Sequence, residues 1–372
     1  MGVIRFLLAL VVVGAHVGRI PFHVPLGGLL AVQAFYIISG FLIALVWDGK
    51  YKSQQNGLFL FYTNRAARIY LIYWAVLAIS VAVAIAAKLL TKEWPTYFVE
   101  PPHKLTIYAI FTNLYIFGSA QAYWLGFDGS HFYYTMDYTA SPYPVWRTLT
   151  LSPAWTLDLE LTFYLLAPFL VNRRLRTIFA IIALSFVARF SWYAMGHDVD
   201  PWNYRFFPFE IGLFVLGIAA YKVSKMLAWR PSPPLLYLIF TLAVGSILGY
   251  ELLGLSHSSF VYLFIFAAFI PYVFALTRSW KVDRFLADMS FPLYLAHWPV
   301  TSFVLDYLPV PWPEFPGIGP AIASVAAAAA LVIFVERPIE RWRQARTASP
   351  GKPATSWNPP GPLMAATIGS TE

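Results

Sequence analysis

The sequence predicts an all-α fold, a polytopic transmembrane helix bundle of about ten spans plus a short re-entrant or partial segment. Of its 372 residues, 59% are hydrophobic and only 12% are charged, and the mean hydropathy is +0.61. Soluble domains are about half apolar and about a quarter charged. Several apolar runs reach the roughly 20 residues that cross a bilayer. Spans and short connections occupy nearly the whole chain, which excludes a separate soluble catalytic domain.

Eleven apolar stretches are candidate membrane segments. They are 3–19, 28–47, 69–90, 104–118, 154–172, 175–196, 206–224, 235–254, 258–277, 290–308 and 317–335. Lys and Arg accumulate in cytoplasmic connections. From Arg176 onward, every second connection is basic, as expected if these connections lie in the cytoplasm. With eleven full spans, however, the basic connection that holds Arg65 would lie on the opposite side.

The simplest solution is that the shortest segment, 104–118, does not cross the membrane. It contains Thr112 and Asn113. A segment that ends within the membrane is stable only when its backbone is packed against protein or lines a cavity. We therefore expect a multi-pass protein of the cell (inner) membrane with both termini in the cytoplasm. The expected division is a membrane domain over 1–346 and a disordered cytoplasmic tail over 347–372.

Composition excludes several kinds of chemistry. The chain has no cysteine, which excludes disulfides, thiolate catalysis and cysteine metal sites, and we expect no metal. The net charge is +8. We assign this excess to anchoring of cytoplasmic connections in the lipid bilayer rather than to nucleic-acid binding, because no run of Lys and Arg carries interleaved aromatic residues.

The first helix carries a guanidinium and an imidazole on one face. Arg5 and His16 are separated by about three helical turns plus 20°, or roughly 16 Å. His16 falls at membrane depth, where an ionisable group is expensive and by default marks a functional site. A neutral histidine there can act as a general base. The alternative is a structural histidine bonded to a neighbouring helix, and the aligned Arg5 favours function.

A second candidate group begins at Ser152 and Pro153, which are typical of a helix start. Asp158 and Glu160 then fall within the first turns. Two residues apart, they point to nearly opposite faces, so they do not form a carboxylate dyad. Glu160 shares a face with Tyr164 and is the stronger functional candidate. Asp158 is better explained by a favourable interaction with the helix dipole.

Two shorter motifs have competing interpretations. Arg65 and Arg68 share a helix face, and two guanidiniums suit a phosphorylated ligand such as coenzyme A. A positive-inside anchor explains them equally well. Ser39 and Gly40 lie within the second span, where close helix packing is our first interpretation. Ser39 as a nucleophile would need an adjacent base.

A polar stripe at helical spacing consists of Ser290, Tyr294, His297 and Thr301, beside Pro299. A polar stripe on a kinked span lines a cavity or an interhelical contact. The connection from about 118 to 152 is long and rich in aromatic residues, which argues against disorder. By the charge count it is extracytoplasmic. Its aromatic residues are Tyr123, Trp124, Phe127, Phe132, Tyr133, Tyr134, Tyr138, Tyr143 and Trp146.

The order of these motifs resembles the acyltransferase-3 family of multi-pass membrane acyltransferases. The shared elements, in the family's order, are Arg5 to His16 with ten residues between, Phe35-Tyr-Ile-Ile-Ser-Gly-Phe41, Arg65-Ala-Ala-Arg68, Trp155-Thr-Leu-Asp-Leu-Glu160 followed by Phe163-Tyr164, Tyr294-Leu-Ala-His297, and Glu336-Arg-Pro338. Two positions depart from the pattern. Thr156 stands where the family usually has serine, and Asp158 adds a charge at a usually apolar position.

The resemblance implies transfer of an acyl group, commonly acetyl, from cytoplasmic acyl-CoA to a hydroxyl of a surface carbohydrate or lipid-linked glycan. Acyl-CoA is then a donor substrate, and no permanently bound cofactor is expected. Arg65 and Arg68 would hold the coenzyme A phosphates. His16 would deprotonate the acceptor hydroxyl or first take up the acyl group. Glu160 would orient or support the histidine, and Arg5 would position the donor or stabilise negative charge.

Two other classes stay open at this point. A transporter or flippase of a glycan or lipid fits the polar stripe, the kinked helices and the re-entrant segment. Against it, the sequence has no detectable internal repeat of the kind common in transporters. A purely structural membrane subunit is the third class. It predicts that polar isosteres of His16 and Glu160 change only stability.

Overall fold

The structure is a computed structural model that describes residues 1–21, 26–227, 229–254, 259–309, 311–339 and 341. Eleven α-helices, one β-hairpin and several short 3₁₀ and π-helical segments make up the regular structure of this part of the chain. The helices are α1 Gly2–His16, α2 Gly27–Val46, α3 Gly57–Thr91, α4 Thr106–Tyr115, α5 Trp155–Val171, α6 Leu175–Ala194, α7 Phe207–Leu227, α8 Pro233–Leu248, α9 Ser259–Thr277, α10 Lys281–Tyr307 and α11 Ile318–Leu331. The tail expected to be disordered, 347–372, lies outside the described residues.

The prediction of an all-α polytopic bundle is confirmed. Within the described residues, seven helical segments are long and apolar enough to cross a membrane. They correspond to α2, α3, α5, α6, α7, α9 and α11, and α11 reaches this length together with the helical residues that continue it to Ile339. Shorter apolar helices are α1 and α8, and α10 has 27 residues. By contrast, α4 has ten residues. At 1.5 Å per residue its length is about 15 Å, half of the roughly 30 Å hydrocarbon core, as expected of a partial segment.

Side chains of α3 satisfy the carbonyl groups at the C-terminal end of α4. The last carbonyls of a helix have no partner within the helix, and unsatisfied backbone is costly where water is absent. Tyr70, Tyr73 and Trp74 of α3 donate to the carbonyls of the last three residues of α4 at 2.6, 2.8 and 2.8 Å. The Asn113 amide donates to the Thr148 carbonyl at 2.7 Å, tying α4 to the next connection.

Two helix starts differ from the sequence prediction. α3 begins at Gly57 instead of position 69, and α10 begins at Lys281 instead of position 290. Apolar periodicity does not fix where a helix begins, because both helices extend beyond the uninterrupted apolar part through turns that carry charged residues, such as Arg65 and Arg68 in α3. Arg65 and Arg68 therefore belong to α3 itself.

The core is organised on α2, which packs against α1, α5, α7 and α9. At the crossing with α7, a Cβ added to Gly40 would overlap the carbonyl oxygen of Phe214. One added to Gly217 of α7 would overlap the carbonyl oxygen of Ile37. Close backbone approach is the usual function of small residues in membrane helix pairs. The close packing expected at the Ser39–Gly40 pair is therefore found at Gly40.

The aromatic connection between α4 and α5 is ordered. Its strands β1 Leu125–Phe127 and β2 Phe132–Tyr134 pair antiparallel, with Phe127 opposite Phe132. The rings of Tyr123, Tyr138 and Trp146 pack against one another at centroid distances of 5.1 to 6.1 Å. This packing brings three rings of the connection to one side of the helix bundle.

Candidate functional site

Two cavities lie along the inner side of α1. The basic cavity, of about 600 Å³, contains Arg5 in its wall. The aromatic cavity, of about 390 Å³, contains His16. Val32 and Tyr294 line both cavities, so the two are neighbours separated by this pair. The two ends of the Arg5–His16 face therefore serve different cavities.

Charge distinguishes the basic cavity. Among the described residues, eight basic side chains and four carboxylates line it. The basic ones are Arg5, Lys50, Arg65, Arg68, Arg278, Arg284, Arg337 and Arg341; the acidic ones are Glu160, Asp283, Asp288 and Glu336. They come from α1, α3, α5 and α10 and from the segments after α2, α9 and α11. Such an excess of positive charge in a concave site attracts polyanionic ligands.

Arg65 is held in place by aromatic rings. It is 7% exposed, and its guanidinium carbon lies 5.8 Å from the Phe61 ring and 5.9 Å from the Tyr164 ring. Ring faces attract a cation without using its hydrogen-bond donors. Within the described part of the chain, the Arg65 Nε–H has no hydrogen-bond partner. The guanidinium thus keeps donor capacity for a ligand.

Glu160 is bound by two hydroxyls in the basic cavity. Ser39 Oγ donates to it at 2.9 Å, and the Tyr164 hydroxyl also donates to it. Its negative charge attracts the Arg5 guanidinium, which lines the same cavity. Glu160 and His16 line different cavities, and no hydrogen bond joins them among the described residues. Direct orientation of His16 by Glu160 therefore has no contact to support it.

The hydrogen bond of His16 fixes its tautomer. Nδ1 lies 2.8 Å from the Val12 carbonyl oxygen, which can only accept, so Nδ1 carries the hydrogen and Nε2 keeps its lone pair. His297 is arranged alike, with Nδ1 2.7 Å from the Tyr294 carbonyl oxygen. Its Nε2 is buried without a partner among the described residues. The two imidazole centroids are 5.2 Å apart. The structure therefore joins two predicted histidines from opposite ends of the chain.

Tyr294 is part of the wall between the cavities. Its hydroxyl lies 2.9 Å from the Thr156 hydroxyl and 3.2 Å from the Pro153 carbonyl oxygen. Thr156 also donates to that carbonyl at 3.0 Å. The threonine provides the same hydroxyl that a serine would provide. Thr156, which departs from the family pattern, therefore still offers a hydroxyl to Tyr294.

Asp158 anchors the chain next to α4. Its Oδ2 accepts from the backbone N–H groups of Gly118 at 3.1 Å and Ala120 at 3.0 Å. Asp158 is buried and is outside the lining of both cavities. Its contacts are structural. His297 is also outside the lining of both cavities, but its ring lies next to that of His16.

Sequence reasoning missed a caged arginine in the aromatic cavity. Arg205 bonds Asp200 through Nε at 2.6 Å and Nη2 at 3.1 Å. Its guanidinium carbon lies 3.9 Å from the Tyr123 ring, 4.3 Å from Trp155 and 4.5 Å from Tyr204. These aromatic partners come from three separate segments of the chain, so no local sequence pattern predicts the cage.

The Asp200 carboxylate also accepts a hydrogen bond from a tyrosine of the aromatic connection. The Tyr138 hydroxyl donates to Asp200 at 2.7 Å. Burial, reinforced by this carboxylate, raises the pKa of the Tyr138 phenol. The phenol therefore stays protonated and its hydroxyl stays engaged.

A second missed pair lies deeper in the bundle. Arg189 Nη2 of α6 and Glu210 Oε1 of α7 are 2.6 Å apart, and both side chains are 0% exposed. The amide of Gln33 donates to Glu210 at 3.3 Å. These ionisable residues lie within apolar spans, so the argument that selected His16 would have selected them. The pair joins α6 and α7 to α2.

The sequence of the chain matches one known protein family. A family model described as an acyltransferase domain matches residues 1–336. No curated protein and no solved structure matches the chain. The matched range includes all eleven helices and most of the residues that line the two cavities. The chain is a multi-pass membrane acyltransferase and belongs to the acyltransferase-3 family.

Proposed function

We propose that the protein transfers an acyl group, acetyl in the first instance, from acyl-CoA in the basic cavity to a hydroxyl of a carbohydrate or lipid-linked glycan in the aromatic cavity. One observation carries this assignment. Two cavities of contrasting chemistry, one polybasic and one aromatic, share the wall formed by Val32 and Tyr294. A donor that carries phosphates and an acceptor that carries hydroxyls would meet at that wall.

The donor would be held by charge. Arg65 and Arg68, on successive turns of α3, face the basic cavity with Arg5 and would bind the phosphates of coenzyme A. Glu160 would act as a positioning residue that holds Ser39 and Tyr164 in the cavity wall and partly balances Arg5. The remaining basic residues would attract the donor to the opening of the cavity.

His16 would perform the proton transfer. Its Nε2 would accept the proton of the acceptor hydroxyl while that oxygen attacks the thioester carbonyl. The carbon–sulfur bond then breaks, and the coenzyme A thiolate takes the proton back from His16. In the alternative two-step route, Nε2 attacks the thioester and expels the coenzyme A thiolate. The acceptor hydroxyl then attacks the acyl-imidazolium, the imidazole leaves as the free ring, and the hydroxyl proton passes to the thiolate. In both routes Arg5 would stabilise negative charge on the donor side, and His297 would support the ring of His16.

The orientation follows from charge. The basic residues of several connections converge on one cavity, and such residues face the cytoplasm in inner-membrane proteins. The basic cavity would therefore open to cytoplasmic acyl-CoA, with both termini on that side. The aromatic cavity would face the opposite side, where the glycan acceptor is found.

A labelled-donor assay tests the proposed function. Purified protein in lipid nanodiscs is incubated with radiolabelled acetyl-CoA and a glycan extract, and products are identified by mass spectrometry. We expect acetylated glycan that depends on the protein. Movement of glycan across vesicles without any label transfer would instead favour the transporter alternative.

Removal of Arg65 should weaken donor binding. In Arg65→Ala we expect the KM for acetyl-CoA to rise roughly 10- to 100-fold, because a hydrogen bond to a charged group contributes about 1.5–3 kcal/mol. The kcat should change much less. Steady-state kinetics compare this variant with Arg176→Ala, which removes an exposed arginine on α6. An unchanged KM with a large loss of kcat would contradict the donor-binding role.

A further inference from the structure

We propose that the aromatic cavity is a subsite for an uncharged pyranose unit, bound through the unpaired N–H groups of Arg205 and Trp146. This inference rests on the proposed function for the identity of the bound molecule as the acyl acceptor. It adds the class of sugar that the site accepts and two residues that select it.

Unsatisfied donors provide the first argument. Arg205 Nη1 and Trp146 Nε1 are buried, and neither has a hydrogen-bond partner within the described residues. Both residues line the aromatic cavity, and Arg205 is 8% exposed. Buried N–H groups are rarely left unpaired. A ligand that presents oxygen acceptors, such as hydroxyl or ring oxygens, would satisfy both donors.

The hydroxyls of the cavity are already occupied. Tyr123 lies 2.8 Å from Ser152 Oγ, Tyr138 donates to Asp200, and Tyr294 is bonded to Thr156. These contacts hold the ring faces in fixed positions. The free hydrogen-bonding capacity of this wall therefore lies mainly on the two N–H donors and on His16 Nε2.

Charge provides the second argument. The bidentate contact with Asp200 neutralises Arg205. Among the described residues that line the aromatic cavity, Arg205 and the titratable His16 are the ones that can carry a positive charge, and no carboxylate is present. An anionic sugar would lose its hydration there without gaining a net counter-charge. The polybasic cavity on the other side of Tyr294 is where an anion is favoured.

Shape provides the third argument. The rings of Tyr123 and Trp146 are stacked at an interplanar angle of 21°, and Trp298 stands against His16 with a centroid distance of 5.7 Å. Aromatic faces are electron-rich and suit the C–H faces of a pyranose. The volume of about 390 Å³ lies at the small end of ligand pockets, which span about 300–1,000 Å³.

Binding measured without acyl-CoA tests this subsite separately from catalysis. Saturation-transfer NMR on the protein in nanodiscs uses methyl glycosides of common neutral hexoses, their uronic acids and hexose phosphates. We expect saturable binding of at least one neutral glycoside, with its uronic acid bound more weakly. Trp146→Phe, which keeps an aromatic ring and removes the N–H, and Arg205→Gln should each weaken binding up to about tenfold. Arg176→Gln should leave it unchanged.

Several outcomes would overturn the subsite. The first is that no neutral glycoside binds saturably. The second is that uronates or phosphates bind at least as tightly as neutral sugars. The third is that Trp146→Phe keeps wild-type affinity. The Trp146→Phe result decides the case if Arg205→Gln fails to fold. Glycoside binding with no acyl transfer would refute the proposed function and leave the subsite standing. Acyl transfer with a preference for anionic sugars would do the reverse.

Discussion

Replacement of His16 with alanine is expected to reduce acyl transfer by about 10²- to 10⁴-fold, the contribution typical of a general base. The Val12 carbonyl holds the hydrogen on Nδ1, so Nε2 is the free base in the aromatic cavity. His16→Gln should lose a similar amount, because an amide can bond to the acceptor but cannot take its proton. The measurement is the initial rate of labelled acetyl transfer by purified protein.

Two controls separate catalysis from folding. His131→Ala removes an exposed histidine of the long connection and should retain the wild-type rate. The KM of His16→Ala for acetyl-CoA should also stay near wild type, because the donor residues line the other cavity. If His16→Ala, with a normal thermal midpoint, kept its rate within twofold of wild type, the general-base role would be wrong.

Arg189→Ala is expected to lower the free energy of unfolding by about 3–5 kcal/mol, because it leaves a buried carboxylate without its counter-charge. Glu210 is 0% exposed, and its remaining polar contact in the described structure is the weaker one with Gln33. Thermal unfolding in detergent, followed by size-exclusion chromatography with fluorescence detection, measures the loss of folded protein.

Matched variants show whether charge or packing causes the effect. Arg176→Ala removes an exposed arginine from the same helix and should leave the midpoint nearly unchanged. Arg189→Met combined with Glu210→Met removes both charges and should be more stable than Arg189→Ala. A midpoint of Arg189→Ala equal to that of Arg176→Ala would contradict a stabilising role for the pair.

The sequence predicts the fold class well because hydropathy acts on whole segments. The apolar runs identify the spans, and the short segment with Thr112 and Asn113 proves to be the ten-residue α4. Hydropathy says less about where helices begin, since turns that carry charged residues extend α3 and α10 beyond the uninterrupted apolar part. Those extra turns place Arg65 and Arg68 in the wall of the basic cavity.

The candidate site was predictable where one residue carries the signal. An ionisable group in an apolar span stands out, as His16, Glu160 and His297 do. Which of them meet is decided by helix packing, and Glu160 bonds Ser39 rather than His16. Arg205 was not predictable, because its cage joins Tyr123, Trp155 and Tyr204 from segments far apart in the chain.

Proteoliposomes of one orientation allow the two cavities to be supplied separately. The chain has no cysteine, so single substitutions Lys281→Cys and Asp137→Cys, both at exposed positions, report orientation through an impermeant maleimide. We expect Lys281→Cys to be labelled from the side of the basic cavity and Asp137→Cys from the other side.

The most direct measurement supplies labelled acetyl-CoA only on the Lys281 side and glycan acceptor only on the Asp137 side. If donor and acceptor meet at the wall that contains Tyr294, labelled acetyl-glycan should form on the Asp137 side. His16→Ala should form no such product. Product formed only when donor and acceptor share one side of the membrane would contradict transfer between the two cavities.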